Sequence, residues 1–234
     1  MNEIKLKLID DSYMDLSFND KFNVYYNNAQ SYTRHIIEKE INHGHYQHPQ
    51  FMEIFKNRNA VVIDAGANIG LFSLHISPKC KSIYSIEPTK QHLEVLVEIA
   101  KAKNLTCIVP EEIALCNYTG TVKFITDSSN TTTNRIHDSG YAVPCETLLG
   151  FITKRKIEDI DLLKLDIEGG EQFVVLEDPT FEQAIKKCKN IYVEIHPPLS
   201  DGNAICNKIS NLGYNHIFMN SDYLNNYLNV LFYK

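Results

Sequence analysis

"VVIDAGANIGLFSL", residues 61–74, reads as a buried strand that runs into a tight turn and then a helix. Apolar, β-compatible residues lead into Asp64; Gly66, Asn68 and Gly70 follow at every second position, and a helix-compatible run opens at Leu71. A dinucleotide loop would read G-x-G-x-x-G and a P-loop would close on G-K-[ST]. Here the pattern is D-x-G-x-N-x-G with no lysine after it. Gly66 and Gly70 let the backbone turn sharply and approach a ligand closely. Asp64 brings negative charge to the place a pyrophosphate would take, which disfavours an anion and favours an ammonium or sulfonium group. Glu87 closes the next strand-like run, "KSIYSIE", at the spacing of about 20 residues from which a carboxylate holds both ribose hydroxyls. A nucleoside that carries cationic groups and no phosphate is S-adenosylmethionine.

Outward from this loop the chain alternates. Strand-like "AVVIDA", "KSIYSIE", "LTCIVPE", "DLLKLDIE" and "NIYVEIH" are separated by the helix-like runs "GLFSLHIS", "TKQHLEVLVEIAKAKN", "ETLLGFITKRK" and "DPTFEQAIKKCK". A hairpin is expected at "IALCNYTGTVKFIT", turned at Gly120, before the polar loop "SSNTTTN". After the helix "DGNAICNKISNLG" the chain closes on "YNHIFMN" and "NYLNVLFYK", joined too closely for a crossover helix and so antiparallel. The expectation is an α/β fold: a sheet of seven main strands, mostly parallel with the last antiparallel, and helices on both faces. Residues 1–58, rich in Asn, Tyr and His, read as an N-terminal extension or lid with a hairpin near "YMDLSFNDKFNVYY" and a helix through "SYTRHIIEKEI"; residues 59–234 read as the ligand-binding domain. Ligands of such sheets sit beyond the carboxyl ends of the strands. That rule selects Asp64 to Gly70, Glu87, Glu111 to Ile113, Asp166 to Glu171 and Glu194 to His196.

Bulk properties exclude several classes. The 234 residues carry a formal net charge of −6, and 44% are hydrophobic, an ordinary soluble balance. The short basic runs at Lys154–Lys156 and Lys186–Lys189 fall in helix-like stretches and read as solvated faces, so no nucleic-acid partner is expected. No run has signal-peptide or membrane-spanning character. The cysteines at 80, 107, 116, 145, 188 and 206 show no C-x-x-C pair or zinc spacing, which reads as reduced thiols in a cytoplasmic protein. The N-x-[ST] triplets at Asn104, Asn117 and Asn130 are then incidental to an Asn-rich chain.

"VVIDAGANIGLFSL", "YSIEP", "LLKLDIEGGE" and "VEIH" together resemble, in this order, the motifs of FkbM-type S-adenosylmethionine-dependent methyltransferases, and "IEKEINHGHYQHP" resembles the shorter signature upstream of them. The likeness runs from about residue 60 to the end. Its most specific piece is K-[LI]-D-[IV]-E-G-x-E. One departure is Leu149, which stands where the family usually has the Asp of T-L-D. The resemblance implies a Rossmann-like class I methyltransferase sheet and S-adenosyl-L-methionine as cofactor. It places Gly66, Asn68 and Gly70 along the methionine and ribose portion, Asp64 at the loop and the amino group, and Glu87 at the ribose diol. Glu112 and Ile113 would flank the adenine, and Asp166 would stand beside the methionine end and the acceptor.

Methyl transfer to a hydroxyl needs alignment, exclusion of water and a base for the leaving proton. Asp166, Glu168, Glu194 and His196 crowd one edge of the expected sheet. His196, with the unperturbed pKa nearest neutrality, ranks first as base; otherwise it is a strand-end histidine bonded to a neighbouring loop. Glu171 reads as holding the "EGGE" turn. His45 and Tyr46 are expected to face the acceptor from a covering segment, in preference to a metal site built from His43, His45 and His48. Asp166, Glu168 and Glu194 offer oxygen ligands for magnesium, but their spacing does not require it and no metal is assigned. Two functions stay open: an enzyme that methylates a hydroxyl of a sugar, glycan or small natural product, and a non-catalytic S-adenosylmethionine-binding module. A nicotinamide dehydrogenase would need a pyrophosphate beside Asp64. The sequence names neither the acceptor nor an oligomeric state. A β-carbon at Gly66 or Gly70 should obstruct the cofactor or strain the turn, and Gly66→Val is expected to abolish cofactor binding at modest cost in thermal stability.

Overall fold

The computed structural model describes residues 4–42, 44–57, 59–126, 134–220 and 228–234. The chain opens with β1 (Lys5–Lys7) and β2 (Tyr13–Asp15), an antiparallel pair. Helices α1 (Asp20–Asn28), α2 (Ser31–Asn42) and α3 (Pro49–Ile54) follow. The expected hairpin near residue 13 is therefore corrected. Tyr13–Asp15 pairs backwards with Lys5–Lys7, and the second half of that stretch is helical because the Asn19 side chain accepts the Phe22 N–H at 2.7 Å and caps α1.

From Asn59 the alternation is regular. It runs β3 (Ala60–Ala65), α4 (Leu71–Ile76), β4 (Cys80–Ile86), α5 (Lys90–Ala102) and β5 (Ile108–Glu111). A side structure comes next: β6 (Ala114–Leu115), β7 (Gly120–Ile125), β8 (Arg135–Ile136) and β9 (Tyr141–Glu146). The chain then returns through α6 (Leu148–Lys154), β10 (Ile160–Leu165), a π-helical stretch Gln172–Glu177, α7 (Phe181–Ile185), β11 (Cys188–Ile195), α8 (Gly202–Asn211), β12 (Asn215–Asn220) and β13 (Leu228–Tyr233).

The main sheet has seven strands in the order β12-β13-β11-β10-β3-β4-β5, parallel except for β13, which runs antiparallel to both its neighbours. This is the expected α/β fold. Its central strands are buried on both faces, and so they are near-continuous apolar runs rather than alternating ones. One face packs Val62, Ile83, Leu162 and Tyr192 against α4, α5 and the N-terminal segment. The other packs Ile63, Ile86, Leu163 and Val193 against α6, α7 and α8. The hairpin expected around Gly120 does not form. β9 lies between the two partners, pairing parallel with β6 and antiparallel with β7. The "SSNTTTN" loop, apart from Asn134, and the "SDYLN" connection lie outside the described residues.

α6 is capped by Thr147, whose hydroxyl accepts the Gly150 N–H at 3.0 Å, so this helix starts normally with leucine at position 149. All six cysteines are free thiols. No described helix is long and apolar enough to cross a membrane.

Candidate active site

The order of β10, β3 and β4 puts the carboxyl ends of three strands side by side and brings the glycine loop, Glu87 and the "LDIEGGE" turn to one edge. Gly66, Asn68 and Gly70 all adopt left-handed backbone, with φ of 80°, 51° and 85°. This conformation consumes the loop's own donors. Gly66 and Ala67 N–H groups both donate to the Ile86 carbonyl at 3.0 Å, Asn68 N–H donates to Glu87 Oε2 at 2.9 Å, and Gly70 N–H donates to the Ala67 carbonyl at 2.8 Å. A phosphate-gripping loop keeps such N–H groups pointed at its ligand. Here these four are spent.

Gly66 is required for a second reason. A β-carbon there would stand 1.6 Å from the Asp166 carbonyl oxygen, so the loop lies directly on the end of β10. The expectation of a modest stability cost on substitution is corrected: the obstructed neighbour is backbone, which cannot move aside as a side chain can.

Asp64 is fully buried and faces inward from β3. Its Oδ2 accepts the Ser73 hydroxyl at 2.6 Å, and its Oδ1 stands 3.3 Å from the Lys164 ammonium. Lys164, itself buried, also donates to Asp166 Oδ2 at 3.0 Å, so one cation ties the ends of β3 and β10 together. Glu87 is 5% exposed, and its Oε1 accepts the Thr89 N–H at 2.8 Å. Burial raises its pKa, against the pull of the two backbone donors. Each of its oxygens keeps a second lone pair for a hydroxyl donor. Tyr25 of α1 reaches over the loop, donating to Asn68 Oδ1 at 3.3 Å and meeting the His92 ring edge-on. β5 ends at Glu111, so Glu112, exposed, and Ile113, buried, lie just past the strand end.

At the other end of the edge four carboxylates surround one imidazole. His196 Nε2 lies 3.8 Å from Asp166 Oδ1, 3.5 Å from Glu168 Oε2 and 3.6 Å from Glu194 Oε1. Nδ1 lies 3.2 Å from Glu171 Oε1. Glu171 is wholly buried and accepts the N–H groups of Ile167 at 2.9 Å and Gly169 at 3.0 Å. It therefore holds the turn, as expected, and orients the histidine as well. Burial by itself would lower the His196 pKa, but hydrogen bonds to Glu171 and Glu194 and the charges of Glu171 and Glu168 outweigh it and push the value up to about 12. The surrounding carboxylates thus favour the imidazolium, and an imidazolium takes no proton, which counts against His196 as the base. Burial, followed by the charge of Asp166, raises the Glu194 pKa. Burial also raises that of Glu168 well above its ordinary value, with neighbouring carboxylates adding to it and His196 opposing.

A family model for the methyltransferase FkbM domain matches residues 64–215, well over half of the chain. The chain belongs to the FkbM methyltransferase family. Among solved structures, the FkbM methyltransferase from Methylobacillus flagellatus KT superposes with a TM-score of 0.56 at 14% identity. That match covers 91% of this chain and 58% of the other, so the present chain spans little more than half of that protein's length. An rRNA methylase from Streptococcus thermophilus superposes with a TM-score of 0.50 at 11% identity, over 80% of this chain and 97% of the other. At these identities the likeness is one of fold. No curated protein matches the chain by sequence.

Within this FkbM-family chain, the strand-end positions Asp64, Glu87, Asp166, Glu168, Glu194 and His196 share one sheet edge. Tyr46 does not join them. It is 3% exposed, its ring centre 4.9 Å from Phe72, 5.2 Å from Phe51 and 5.6 Å from Tyr192, which makes it a core residue rather than a face for the acceptor. The side chain of His45 and all of His43 lie outside the described residues, while His48 caps α3 by accepting the Gln50 N–H. Sequence reasoning missed Lys164, although it stands inside the most specific motif, and it missed Tyr25. It also missed Arg155, which donates to both oxygens of Glu111 and, at 2.8 Å, to Glu146 Oε2, clamping the end of β5 to β9. No spacing rule marks that pair, because the residues are far apart in the chain.

Proposed function

We propose that the protein is an S-adenosylmethionine-dependent methyltransferase acting on a hydroxyl of a sugar, glycan or small natural product. The observation that carries this reading is the loop whose amides are spent internally while a buried carboxylate, Glu87, closes it. Such a loop can take a nucleoside through ribose hydroxyls, while for a pyrophosphate four of its amides are already engaged and Asp64 and Glu87 bring negative charge. Glu87 would hold the ribose diol, the backbone from Gly66 to Gly70 the methionine portion, Glu112 and Ile113 the adenine, and Asp166 the methionine end. S-adenosylmethionine supplies, when bound, a methyl group activated on a sulfonium.

The chain's own residues then align the acceptor and receive its proton. Asp166 is engaged by Lys164 and Glu171 by two backbone donors, which leaves Glu168 and Glu194, both with pKa values that burial raises, as candidate proton acceptors. His196, charged, offsets the negative charge around it. The acidic rim and the net charge of −6 support a neutral acceptor over a phosphate-bearing one.

Calorimetry with S-adenosylmethionine and, separately, NAD tests the pocket; formation of S-adenosylhomocysteine with polyol and glycan acceptors tests transfer. Tighter binding of NAD, or none of S-adenosylmethionine, sinks the proposal. Binding without turnover on any hydroxyl acceptor would leave a binding module.

A further inference from the structure

We propose that Asp166, Glu194 and His196 form a binding site for a divalent cation of the Mn²⁺ or Mg²⁺ type at the acceptor end of the sheet. The ligand atoms of these three side chains all lie within 4.8 Å of one another, and Glu168 Oε2 stands 3.5 Å from His196 Nε2 as a fourth donor. Ligands held about 2.1 Å from one cation sit ~3.0–3.5 Å apart, depending on coordination number. The separations from Nε2 of 3.5, 3.6 and 3.8 Å approach this range, and the wider spacing within the set, up to 4.8 Å, leaves side-chain rotation to close the rest.

A second observation concerns the far side of the ring. Glu171 accepts two backbone N–H groups through its two oxygens and faces His196 Nδ1 at 3.2 Å, so Nδ1 carries the hydrogen and Nε2 points into the cluster. A histidine fixed by a buried carboxylate on one nitrogen, with the other turned to oxygen ligands, is the arrangement that metal-ligating histidines use. A third observation is the charge count: among the described residues, Asp64, Asp166, Glu168, Glu171 and Glu194 gather around Lys164 and His196. Tyr192, on the same face of β11 as Glu194, keeps a fully buried hydroxyl with no hydrogen-bond partner among the described residues. Oxygen-rich donors with one imidazole favour hard, six-coordinate ions and leave positions open for water or for two neighbouring hydroxyls of an acceptor. The cation and the proton on Nε2 are alternatives for one place. The identity of those last ligands rests on the methyl-transfer reading; the cation site does not.

The test uses the metal alone. Full-length protein freed of metal with a chelator is titrated with Mn²⁺, followed by the electron paramagnetic resonance of the free ion and by calorimetry, without cofactor or acceptor. One saturable site is expected, with pulsed resonance showing coupling to a single imidazole nitrogen. Glu194→Gln and Asp166→Asn, close in shape to the parent, are each expected to weaken Mn²⁺ binding by at least tenfold. No saturable uptake up to about millimolar Mn²⁺, binding without nitrogen coupling in the unaltered protein, or unchanged affinity in both variants overturns the site. S-adenosylmethionine binding, measured separately on the metal-free protein, decides the functional reading, so either idea can fail by itself.

Discussion

Gly66 and Gly213 both have left-handed backbone, with φ of 80° and 91°, yet they differ in what surrounds them. A β-carbon at Gly213 meets nothing within 4 Å, whereas at Gly66 it meets the Asp166 carbonyl. Gly213→Ala should therefore cost only the conformational penalty, about 1–2 kcal/mol, while Gly66→Ala adds overpacking against backbone for a total of roughly 2–5 kcal/mol. Urea denaturation of the two variants reads the difference, and equal losses would mean that the loop does not rest on β10. Glu87 has a similar double part. Glutamine offers one oxygen where the carboxylate offers two, so the N–H of Asn68 or Thr89 loses its acceptor at a cost of about 1–3 kcal/mol. Glu87→Gln should also weaken S-adenosylmethionine binding at least tenfold, about 1.4 kcal/mol. A variant with reduced stability but parental affinity would confine Glu87 to loop support.

At the scale of elements, Arg155 joins α6 to the ends of β5 and β9 through Glu111 and Glu146. Removing the cation by Arg155→Met leaves the largely buried Glu111 without its cation while Glu146 keeps Lys154, and a loss of roughly 1–3 kcal/mol is expected from chemical denaturation, below the full figure for buried pairs because some water reaches this one. Glu146 gives the pH dependence. Burial opposes its ionisation, yet Lys154 and Arg155 hold its pKa below the ordinary 4.5. A depressed carboxylate contributes stability above its unfolded-state pKa and loses it as pH falls through the folded-state value. Stability should thus fall more steeply below about pH 4.5 in the parent than in Glu146→Gln; parallel acid profiles would show that the pair contributes nothing. The same region shows where sequence stopped being legible. β3, β4, β10 and β11 were readable because strands buried on both faces are apolar runs of strand length. β9 was not, since Pro144 argues against a strand, and without it β6 and β7 look like one hairpin. At the site, the strand-end rule found Asp64, Glu87, Asp166 and His196. The protonation of His196 was illegible, because its four carboxylates come from the end of β10, the turn after it and β11, and only folding sums their charges.

For the whole molecule, the question is what residues 1–58 do. Aromatic residues near a binding loop read equally as a lid or as core, and the fold separates the two by burial. Leu6, Leu16, Phe22 and Phe51 have no exposed surface and Phe55 has 2%; they share one cluster with Val62, Leu162 and Leu231 of the main sheet. Each such side chain contributes about 1.5–3 kcal/mol on burial, so exposing all five costs roughly 7–15 kcal/mol, as much as the whole stability of a typical domain. That much buried surface holds the parts of the segment around these five side chains against the sheet. The segment forms one wall of the core, and Tyr25, at the loop, reaches the cofactor side. A chain beginning at residue 59 should therefore fail to give a cooperative thermal transition. Tyr46→Ala should act as a core deletion, losing about 3–5 kcal/mol, with the acceptor KM near the parental value at a temperature where the variant stays folded. A raised KM with unchanged melting temperature would instead return Tyr46 to the acceptor and make the packing of this segment secondary to its function.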